Sequence, residues 1–377
     1  MKIGRYIQQP NNYKAFIPDE FPPSEQLLTS PKTQQLHARA ALLLGKLDGI
    51  TQLLPDLDFF IFSYIRKEAT KSSEIEGTQA TEIDVIKTEA DLEKTLPDDV
   101  DRILHYVSAM DYGLERLKEF PMSLRFIREV HKILIAGTKD EVGKTPGEFR
   151  KSQNWVGGGS LQTATYIPPT PHEMQRNLDD LEKFLNSEKN DYPPLIKAAL
   201  VHAQFETIHP FLDGNGRTGR LLTTFYLCRA GLLEKPVLYL SDYFMANKQA
   251  YYDSLQAYHS ERGDIGTWIN FFLDGVAIVA ESAVKTSKSI NKLRQKDVFR
   301  IQSLGRRSEM GMVVLDNLYR IPIISVKTVE KWTGLSRESS NNLVRELVRI
   351  GILEQRDKSI DYGREFYHKE YLGIFKT

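Results

Sequence analysis

The sequence predicts a mainly α-helical protein, because helical spacing of apolar residues runs through most of its 377 residues and strand-like alternation is scarce. Hydrophobic residues make up 41% of the chain, enough for a sizeable core, and the length suggests two or three domains. The pattern changes near residue 290, and residues 143–170 form a long stretch rich in glycine and proline. We therefore expect a helical core with one elaborate loop and a separate C-terminal domain.

The composition narrows the class of protein further. Lys+Arg and Asp+Glu both number 50, so the chain has no global basic field of the kind that attracts nucleic acid. A single cysteine, Cys228, excludes a disulfide framework and a cysteine-rich metal site. The N-terminus lacks the apolar stretch of a signal peptide, and no run approaches the roughly 18 apolar residues of a membrane span. These features predict a cytoplasmic protein.

The apolar spacing places the helices along the chain. Pro55 and Asp56 separate the first two, and the polar segment 284–302 is predicted to be a helical connector. The predicted helices cover residues 24–54, 57 to about 77, 79–94, 98–119, 123–137, 171–188, 193–208, 216–231, 244–261 and 264–288.

The C-terminal segment, from about Ser325 to Tyr371, indicates a helix, a turn, a second helix and a two-stranded hairpin. Gly334 suits the turn, Ser336 can cap the second helix, and Gly351 can end it. This order is similar to a winged helix-turn-helix domain.

The loop at 143–170 contains three consecutive glycines, residues 157–159, and two prolines, residues 168–169. Long loops inside compact domains are uncommon unless they carry a function. We expect a functional loop here, in the form of a β-hairpin flap.

The stretch IHPFLDGNGRTGRLL, residues 208–222, concentrates the candidate chemistry. The preceding helix should end at His209, because a proline disfavours helix in the residue before it. The loop of residues 213–216 then leads into a helix N-terminus near residue 216, where unpaired N–H groups and the helix dipole suit phosphate. Arg217 and Arg220, three residues apart, add charge-assisted donors.

Two further residues of this stretch suit a reaction on phosphate. Asp213 would repel phosphate unless it held a cation such as Mg²⁺, and His209 could take a proton from an incoming nucleophile. Each feature alone also has a purely structural explanation: the glycines could simply form a turn, the arginines could pair with carboxylates, and the histidine could pack in the core. Their combination within twelve residues favours function. The stretch is not a P-loop, because no Gly-Lys-Ser/Thr follows the glycines.

The residues from His209 to Arg220 resemble the signature of the Fic family, HxFx(D/E)GNGRxxR, at every fixed position. Residues 146–159 and 166–171 also resemble the family's flap, and the similarity extends over roughly residues 100–290. The resemblance implies a Fic-type helical core with a small β-hairpin flap. It implies an N-terminal helical region with an inhibitory helix at 1–97, the core at 98–289 and a winged helix-turn-helix domain at 290–377.

The resemblance also implies an activity, the transfer of AMP from ATP to a Ser, Thr or Tyr hydroxyl of a protein, with Mg²⁺. His209 would be the general base and Asp213 the Mg²⁺ ligand. Tyr251 and Tyr252 would lie near the adenine, with buried aromatic packing as an equal alternative. The residues implied to bind nucleotide are Glu76, Asp213, Gly214, Asn215, Gly216, Arg217, Thr218, Gly219, Arg220 and Tyr251, and those of the flap are Trp155, Val156, Gly157, Gly158 and Gly159.

A second motif lies far upstream. Ser72, Glu76 and Gly77 match the family's inhibitory pattern (S/T)xxxE(G/N). This resemblance implies that the carboxylate of Glu76 pairs with Arg220. It thereby neutralises the positive charge that would otherwise bind the γ-phosphate of ATP. The enzyme would then be autoinhibited.

Two alternatives remain open at this stage. The same site could remove AMP from a modified protein, with the inhibitory glutamate placing a water molecule. The C-terminal segment could instead make the chain a DNA-binding regulator with a nucleotide-sensing pocket, although four glutamates interleave with its basic residues. The candidate DNA-phosphate contacts are Lys327, Lys331, Arg337, Arg345, Arg349 and Arg356. We also expect a homodimer and self-modification, and the sequence leaves the target protein unidentified.

Overall fold

A computed structural model describes residues 3–23, 30–52, 57–90, 92, 99–187, 192–260, 263–360 and 362–375, without the side chains of 57–60. The chain contacts divide into two compact units. The first contains Met1–Asp48, Lys67–Gln79 and Asp101–Glu281, and the second contains Gly49–Arg66, Ala80–Val100 and Ser282–Thr377. The boundaries predicted at 97/98 and 289/290 stay a prediction. The mainly α-helical class is confirmed.

Two strands, which the sequence pattern does not predict, open the first unit. β1 (Gly4–Gln9) pairs antiparallel with β2 (Tyr13–Pro18), with Gln9 opposite Tyr13. The turn places Asn11 and Asn12 at φ 67° and 59°. Asparagine tolerates this left-handed conformation better than most residues, so the two consecutive asparagines were the missed signal.

The helices that follow agree in position with most of the predicted ones. Residues 24–29 and 53–56, which include Leu27, Leu28, Pro55 and Asp56, lie outside the described residues. The helices up to residue 302 are α1 (Pro31–Gln52), α2 (Leu57–Ile75), α3 (Glu82–Glu89), α4 (Val100–Arg116), α5 (Leu124–Ile135), α6 (Pro171–Asn186), α7 (Pro194–Ile208), α8 (Asn215–Arg229), α9 (Leu240–Ala246), α10 (Lys248–Tyr258) and α11 (Ile265–Gln302).

Two predicted helices differ from the structure. The segment predicted as one helix at 244–261 is two, α9 and α10, because the backbone leaves helical geometry at Asn247, with φ −119° and ψ 39°. The helix predicted at 264–288 and the connector at 284–302 form the single helix α11.

α11 also corrects the prediction about membrane spans. By length and composition it passes the test for a membrane-crossing helix, contrary to the expectation from the sequence. However, 61% of its apolar window is buried inside the protein, as in the core helix of a soluble protein.

The core of the first unit is built around α7 and α8. α7 is mainly apolar and is buried on nearly all sides. The indole N–H of Trp268 donates to the carbonyl of Ala199 at 2.7 Å. Gly113 in α4 lets Phe225 of α8 approach so closely that an added Cβ would lie 2.2 Å from its ring. α7 and α8 are therefore held firmly, and the loop between them is short and anchored at both ends.

The second unit contains the helix-turn-helix segment. Its elements beyond α11 are α12 (Ser308–Leu318), β3 (Ile323–Ser325), α13 (Val326–Thr333), α14 (Arg337–Arg349), β4 (Glu354–Gln355), β5 (Glu365–Tyr367) and α15 (Lys369–Ile374), with strand order β3-β5-β4. Gly334 takes φ +69° after α13, and Ser336 accepts a hydrogen bond from the Ser339 N–H at 3.3 Å. The turn and cap are those that the sequence predicts. A winged-helix domain as such stays a prediction.

We expect the β1–β2 hairpin to hold the base of the predicted flap. The Phe16 N–H donates to the Ile167 carbonyl at 2.9 Å, and Ala15 and Ile17 cluster with Ile167 and Leu161. Phe16→Ala removes a fully buried ring and should increase the hydrogen-exchange rate of the Val156 and Tyr166 amides at least tenfold.

Exchange mass spectrometry of peptides covering 154–168 would measure the effect. Tyr13→Ala, at a partly buried position of the same cluster, is the milder control. Unchanged flap exchange in Phe16→Ala would show that the hairpin does not hold the flap.

Candidate functional site

The site begins where α7 ends at His209. This residue takes the left-handed conformation, φ 48° and ψ 59°, which is uncommon for any residue except glycine. Its N–H still donates to Phe205 at 3.0 Å, so the chain reverses direction within one residue of the helix. Such backbone strain persists only where surrounding contacts enforce it, and it is frequent in active sites.

The contacts that enforce the turn come from residues to which the sequence pattern assigns no role. Arg150 Nε donates to the His209 carbonyl at 3.0 Å, and the Arg150 backbone N–H donates to Pro210 at 2.9 Å. Asn154 Nδ2 donates to the carbonyls of His209 at 3.2 Å and Phe211 at 2.8 Å. Both residues lie within the stretch 146–159 that resembles the flap, just before the predicted flap residues 155–159, and the sequence carries no signal that their polar side chains are buried.

The imidazole of His209 is arranged to accept a proton. Its Nδ1 lies 3.3 Å from the carbonyl oxygen of Glu206, so we assign the Nδ1 hydrogen to that contact and the lone pair to Nε2. Burial, together with the nearby Arg150, lowers the pKa of His209 to about 4. His209 is therefore neutral near pH 7 and can act as a base.

The loop after His209 is locked by its own side chains. Asn215 accepts from the Phe211 N–H at 2.8 Å and donates to the Phe211 carbonyl at 2.9 Å. The Thr218 hydroxyl donates to the Gly214 carbonyl at 2.8 Å. The side chains of Asn215 and Thr218 thus stabilise the loop itself. That these two positions bind nucleotide, through their backbone groups, stays a prediction.

Gly214 is the N-cap of α8, which begins at Asn215, slightly earlier than predicted. It takes φ 76°, and an added Cβ would lie 2.7 Å from Ile135. Gly219 faces the opposite side, where a Cβ would lie 2.7 Å from the Glu206 carboxyl, so this glycine permits close packing within the core. The N–H groups of the first turn of α8 lack intrahelical acceptors, as in every helix, and form an anion-binding terminus.

A further residue that the sequence pattern did not identify, His131 of α5, also supports the loop. Its Nδ1 accepts from the Gly147 N–H at 2.9 Å, so its Nε2 carries the hydrogen and donates to the Asp213 carbonyl at 2.9 Å. The ring stacks on Phe211 with centroids 3.6 Å apart. Burial lowers the pKa of His131 to about 4, so this arrangement of donor and acceptor holds at neutral pH.

Arg217 projects from the first turn of α8 and is almost fully buried. Its Nη2 lies 2.8 Å from Asp140 Oδ2, and Asp140 is also paired with Arg102. Its Nε and Nη1 have no hydrogen-bond partner among the described residues. Asp140 was not identified from the sequence, because it lies far from the motif in a short 3-10 turn.

Arg220 has the partner that the sequence predicts. Its Nη2 donates to Glu76 Oε1 at 2.7 Å and to the Ser72 carbonyl at 2.9 Å, and its Nε donates to Ser72 Oγ at 2.7 Å. Burial opposes the ionisation of Glu76, but Arg220 outweighs it and holds the pKa of Glu76 below its usual value. Gly77 follows with φ +93°, at the end of α2.

The carboxylate of Glu76 lies directly against the N-terminal turn of α8. A Cβ added to Gly216 would be 2.3 Å from Glu76 Oε1. The carboxylate therefore occupies the space over the first turn of α8 that a bound phosphate would need. The absence of a side chain at Gly216 permits this contact.

These residues surround one cavity of about 710 Å³ in the first unit. This volume is within the range of small-molecule sites. The residues that line it include Glu76, Trp155, Val156, Gly157, Tyr166, Glu206, His209, Asp213, Gly214, Asn215, Gly216, Arg217, Arg220, Tyr251, Tyr252 and His259.

The two tyrosines of α10 differ in their surroundings. Tyr251 is 1% exposed, and its hydroxyl forms a 2.9 Å hydrogen bond with His202 Nε2. Its ring stacks on Phe244. Tyr251 is therefore packed among aromatic residues, as in the packing alternative, although it also lines the cavity. Tyr252 lines the cavity too and is 39% exposed.

The flap contains less strand pairing than the predicted β-hairpin. Val156 and Tyr166 form an isolated antiparallel bridge rather than two strands, with the Val156 N–H donating to Tyr166 at 2.8 Å. Gly157 and Gly158 take φ 69° and 68°. Added Cβ atoms there would lie 2.5 Å and 2.3 Å from residues of the returning arm, so only glycine fits. Gly159 and the partly exposed Trp155 complete the predicted flap residues.

Asp213 is the candidate metal ligand. No group of three or more His, Cys, Asp or Glu side chains with ligand spacing occurs in the described part of the chain. The Asp213 carboxylate is 43% exposed at the cavity, and its Oδ1 accepts from the Gly214 N–H at 2.6 Å. One accessible carboxylate fits Mg²⁺, which commonly binds one or two carboxylates, substrate phosphates and water.

Comparison of the sequence with protein families gives two matches. The Fic/DOC family profile matches residues 121–227, and the profile of the Fic/DOC family N-terminal region matches residues 34–115. The two ranges cover half of the chain, including the candidate site and Glu76.

Curated relatives agree with these matches. The chain is 33% identical over 205 residues to the protein adenylyltransferase Fic of Drosophila grimshawi, covering 53% of this chain and 39% of that protein. It is 34% identical over 181 residues to the protein of the same name from Aedes aegypti, covering 47% of this chain and 32% of that protein. The chain thus spans less than two fifths of the length of these relatives.

Solved structures share the fold. A Fic family protein from Desulfovibrio desulfuricans superposes with a TM-score of 0.57 at 20% identity, covering 90% of this chain and 96% of that one. A Fic domain containing signaling protein from Bacteroides thetaiotaomicron gives a TM-score of 0.51 at 21% identity, covering 68% of this chain and 97% of that one.

The buried histidines around the loop predict a dependence of stability on pH. Because the pKa of His131 falls from 6.5 to about 4 on folding, the unfolded chain binds a proton that the folded chain excludes. The contribution of His131 is thus present above pH 6.5 and is lost as pH falls towards 4. For one such proton the free energy of unfolding should fall by about 1.4 kcal/mol per pH unit at most within this window.

Urea unfolding at pH 7, 6 and 5 would test this prediction. His131→Asn should be less stable at pH 7 but lose less stability on acidification than the wild type. His172→Asn, at a position 94% exposed, is the control and should match the wild type. Parallel pH profiles for wild type and His131→Asn would contradict the prediction.

Proposed function

Because this chain belongs to the Fic/DOC family, we propose that it is a protein adenylyltransferase that moves AMP from ATP to a Ser, Thr or Tyr hydroxyl of a protein. The observation that carries the proposal is one cavity in which a neutral His209, the N-terminus of α8 and two buried arginines meet. Such a site combines a base with a binding place for several phosphates.

The phosphates of ATP would bind over the first turn of α8. Two nitrogens of Arg217, Nε and Nη1, have no hydrogen-bond partner in the described structure, while Asp140 accepts from the third, Nη2. Arg220 would exchange Glu76 for a phosphate oxygen. Charge-assisted bonds of this kind are about twice as strong as neutral ones. Asp213 and the phosphate oxygens would hold Mg²⁺, which supplies charge neutralisation when bound.

In the proposed reaction, Nε2 of His209 takes the proton of the target hydroxyl. The hydroxyl oxygen forms a bond to the α-phosphorus, and the bond between that phosphorus and diphosphate breaks. The target leaves as its AMP ester and diphosphate is released. Positioning and charge stabilisation supply most of the catalysis in such displacements. The flap would hold an extended segment of the target as an added strand at Val156.

Glu76 would make the enzyme autoinhibited. Its carboxylate is ionised, neutralises Arg220 and lies over Gly216, so it competes with phosphate for both charge and space. ATP would then bind weakly, or with its α-phosphate turned away from the attacking hydroxyl.

Glu76→Gly tests autoinhibition. We expect at least tenfold more AMP transfer and tighter ATP binding, because Arg220 and the helix terminus become free for phosphate. Labelling with α-³²P-ATP, including self-labelling, and calorimetry with ATP and Mg²⁺ are the measurements. Glu74→Gly, at a residue paired with Lys71, is the matched control for a glycine near the end of α2. If Glu74→Gly had the same effect, helix destabilisation rather than the Arg220 contact would explain it.

His209→Ala in the Glu76→Gly background tests the base. Label transfer should fall at least a hundredfold, while the dissociation constant for ATP stays within about threefold, because the phosphates bind α8 and the arginines. Mass spectrometry with Mg²⁺ and each nucleoside triphosphate would show which group is transferred. Retained transfer in His209→Ala would refute the assigned base.

Hydrolytic removal of AMP from a modified protein is a second candidate reaction on the same site. It is favoured by the position of Glu76, whose carboxylate is 39% exposed and borders the cavity that contains His209. An ionised carboxylate there could place a water molecule that attacks the phosphorus, so that the protein hydroxyl is regenerated and AMP is released. Incubation of the wild type with an AMP-modified protein distinguishes the two reactions.

The predicted DNA contact of the C-terminal segment has weaker support. Arg349 pairs with Glu346 at 2.7 Å and Arg356 with Glu365 at 2.9 Å. These pairs reduce the charge available to DNA phosphates. A salt-dependent gel shift with random duplex tests DNA binding, and size-exclusion chromatography with light scattering tests the expected homodimer.

A further inference from the structure

Glu206 is a buried carboxyl beside the candidate base. It lies on the last turn of α7, and its Oε2 is 3.8 Å from His209 Nδ1, with the side chain 11% exposed. Its Oε1 lies against the backbone of α8 at Gly219 and has no hydrogen-bond partner among the described residues. The reaction outlined above gives this carboxyl no role.

A buried carboxyl oxygen without a hydrogen-bond partner is costly and is seldom kept without a reason. The charged and titratable groups that face it are His209 on its own helix, Arg220 on α8, Glu76 beyond α2, and Tyr251 and Tyr252 on α10. Burial raises the pKa of Glu206 to about 7, with Arg220 opposing and Glu76 assisting. The carboxyl therefore gains or loses its charge near neutral pH.

His209 needs a counter-charge during the reaction. When Nε2 takes the proton of the hydroxyl, the ring becomes an imidazolium in a buried place, next to the guanidinium of Arg150. Both the burial and that guanidinium oppose the new charge. The Nδ1 side of the ring faces the backbone carbonyl and the carboxyl of Glu206.

We propose that Glu206 is a positioning residue that orients His209 through Nδ1 and, as a carboxylate, stabilises the imidazolium formed during AMP transfer. The proton taken from the hydroxyl stays on Nε2, and Nδ1 keeps its own hydrogen, so no proton passes to Glu206. This inference rests on the proposed function. It predicts that activity rises near neutral pH because Glu206 ionises, and not because the base itself titrates.

The first test does not require activity. Labelled histidine NMR would follow the His209 ring carbons from pH 5 to 9. In the wild type their shifts should change in a step near pH 7, as Glu206 ionises next to a ring that stays neutral. Glu206→Gln should abolish the step, and Asp253→Asn, at an exposed carboxyl on the cavity rim, should keep it. A step that persists in Glu206→Gln would overturn the proposal.

The second test is kinetic and uses the Glu76→Gly background. With Glu206 present, kcat for self-labelling should rise through pH 7. Glu206→Gln should lower kcat about tenfold or more at pH 8, remove that rise and leave KM for ATP unchanged. Glu206→Asp should recover part of kcat and the pH dependence, which a purely structural role would not produce. Equal kcat profiles for the Glu76→Gly protein with and without Glu206→Gln would overturn the proposal.

The two tests separate this inference from the function on which it rests. If Glu76→Gly transferred no AMP to any acceptor, the proposed function would fail, yet the NMR step would still report the Glu206–His209 contact. If Glu206→Gln did not fold, Glu206→Asp would replace it: its shorter reach should weaken the NMR step and lower kcat relative to the parent, and an unchanged step and kcat would overturn the proposal. A loss of ATP affinity instead of kcat would assign Glu206 to Arg220 and overturn the role at His209.

Discussion

The buried guanidinium of Arg220 needs an anion, and the site is organised around that requirement. Burial of a charge is tolerated only when a partner compensates it. In this structure the partners are the Glu76 carboxylate and the hydroxyl and carbonyl of Ser72. A phosphate of ATP would satisfy the same need. In the proposed function, ATP binding and inhibition by Glu76 would thus be competing solutions to one electrostatic constraint, in one place over α8.

The second constraint is the sharp reversal of the chain at His209. A left-handed histidine persists because Arg150 and Asn154 hold its carbonyl and Asn215 closes the following loop onto Phe211. These contacts use side chains that would otherwise be candidates for the substrate. The chemistry is therefore left to Nε2 of His209, the backbone of α8 and the two arginines. His131 and Asp140 extend the same support to Asp213 and Arg217.

Prediction from the sequence succeeded where the signal was local. Helices with strong apolar spacing, the turn at Gly334, the end of a helix at His209 and the glycine-rich loop all follow from residues near each other in the chain. It failed where the partner was distant or the element was short. The β1–β2 hairpin, the break at Asn247 and the merging of two predicted helices into α11 depend on tertiary contacts or on one residue's backbone angles.

The sequence alone determined the mainly helical class and the motif from His209 to Arg220, while the pairing of Glu76 with the distant Arg220 was implied only by the resemblance of a second motif to a known family. Only the tertiary structure decided which side chains face the cavity. It assigned Asn215 and Thr218 to the loop, Tyr251 mostly to the core, and His131, Arg150, Asp140 and Glu206 to the surroundings of the site. The reason is physical: residue type limits what a side chain can bind, but burial and the available partners fix what it does bind.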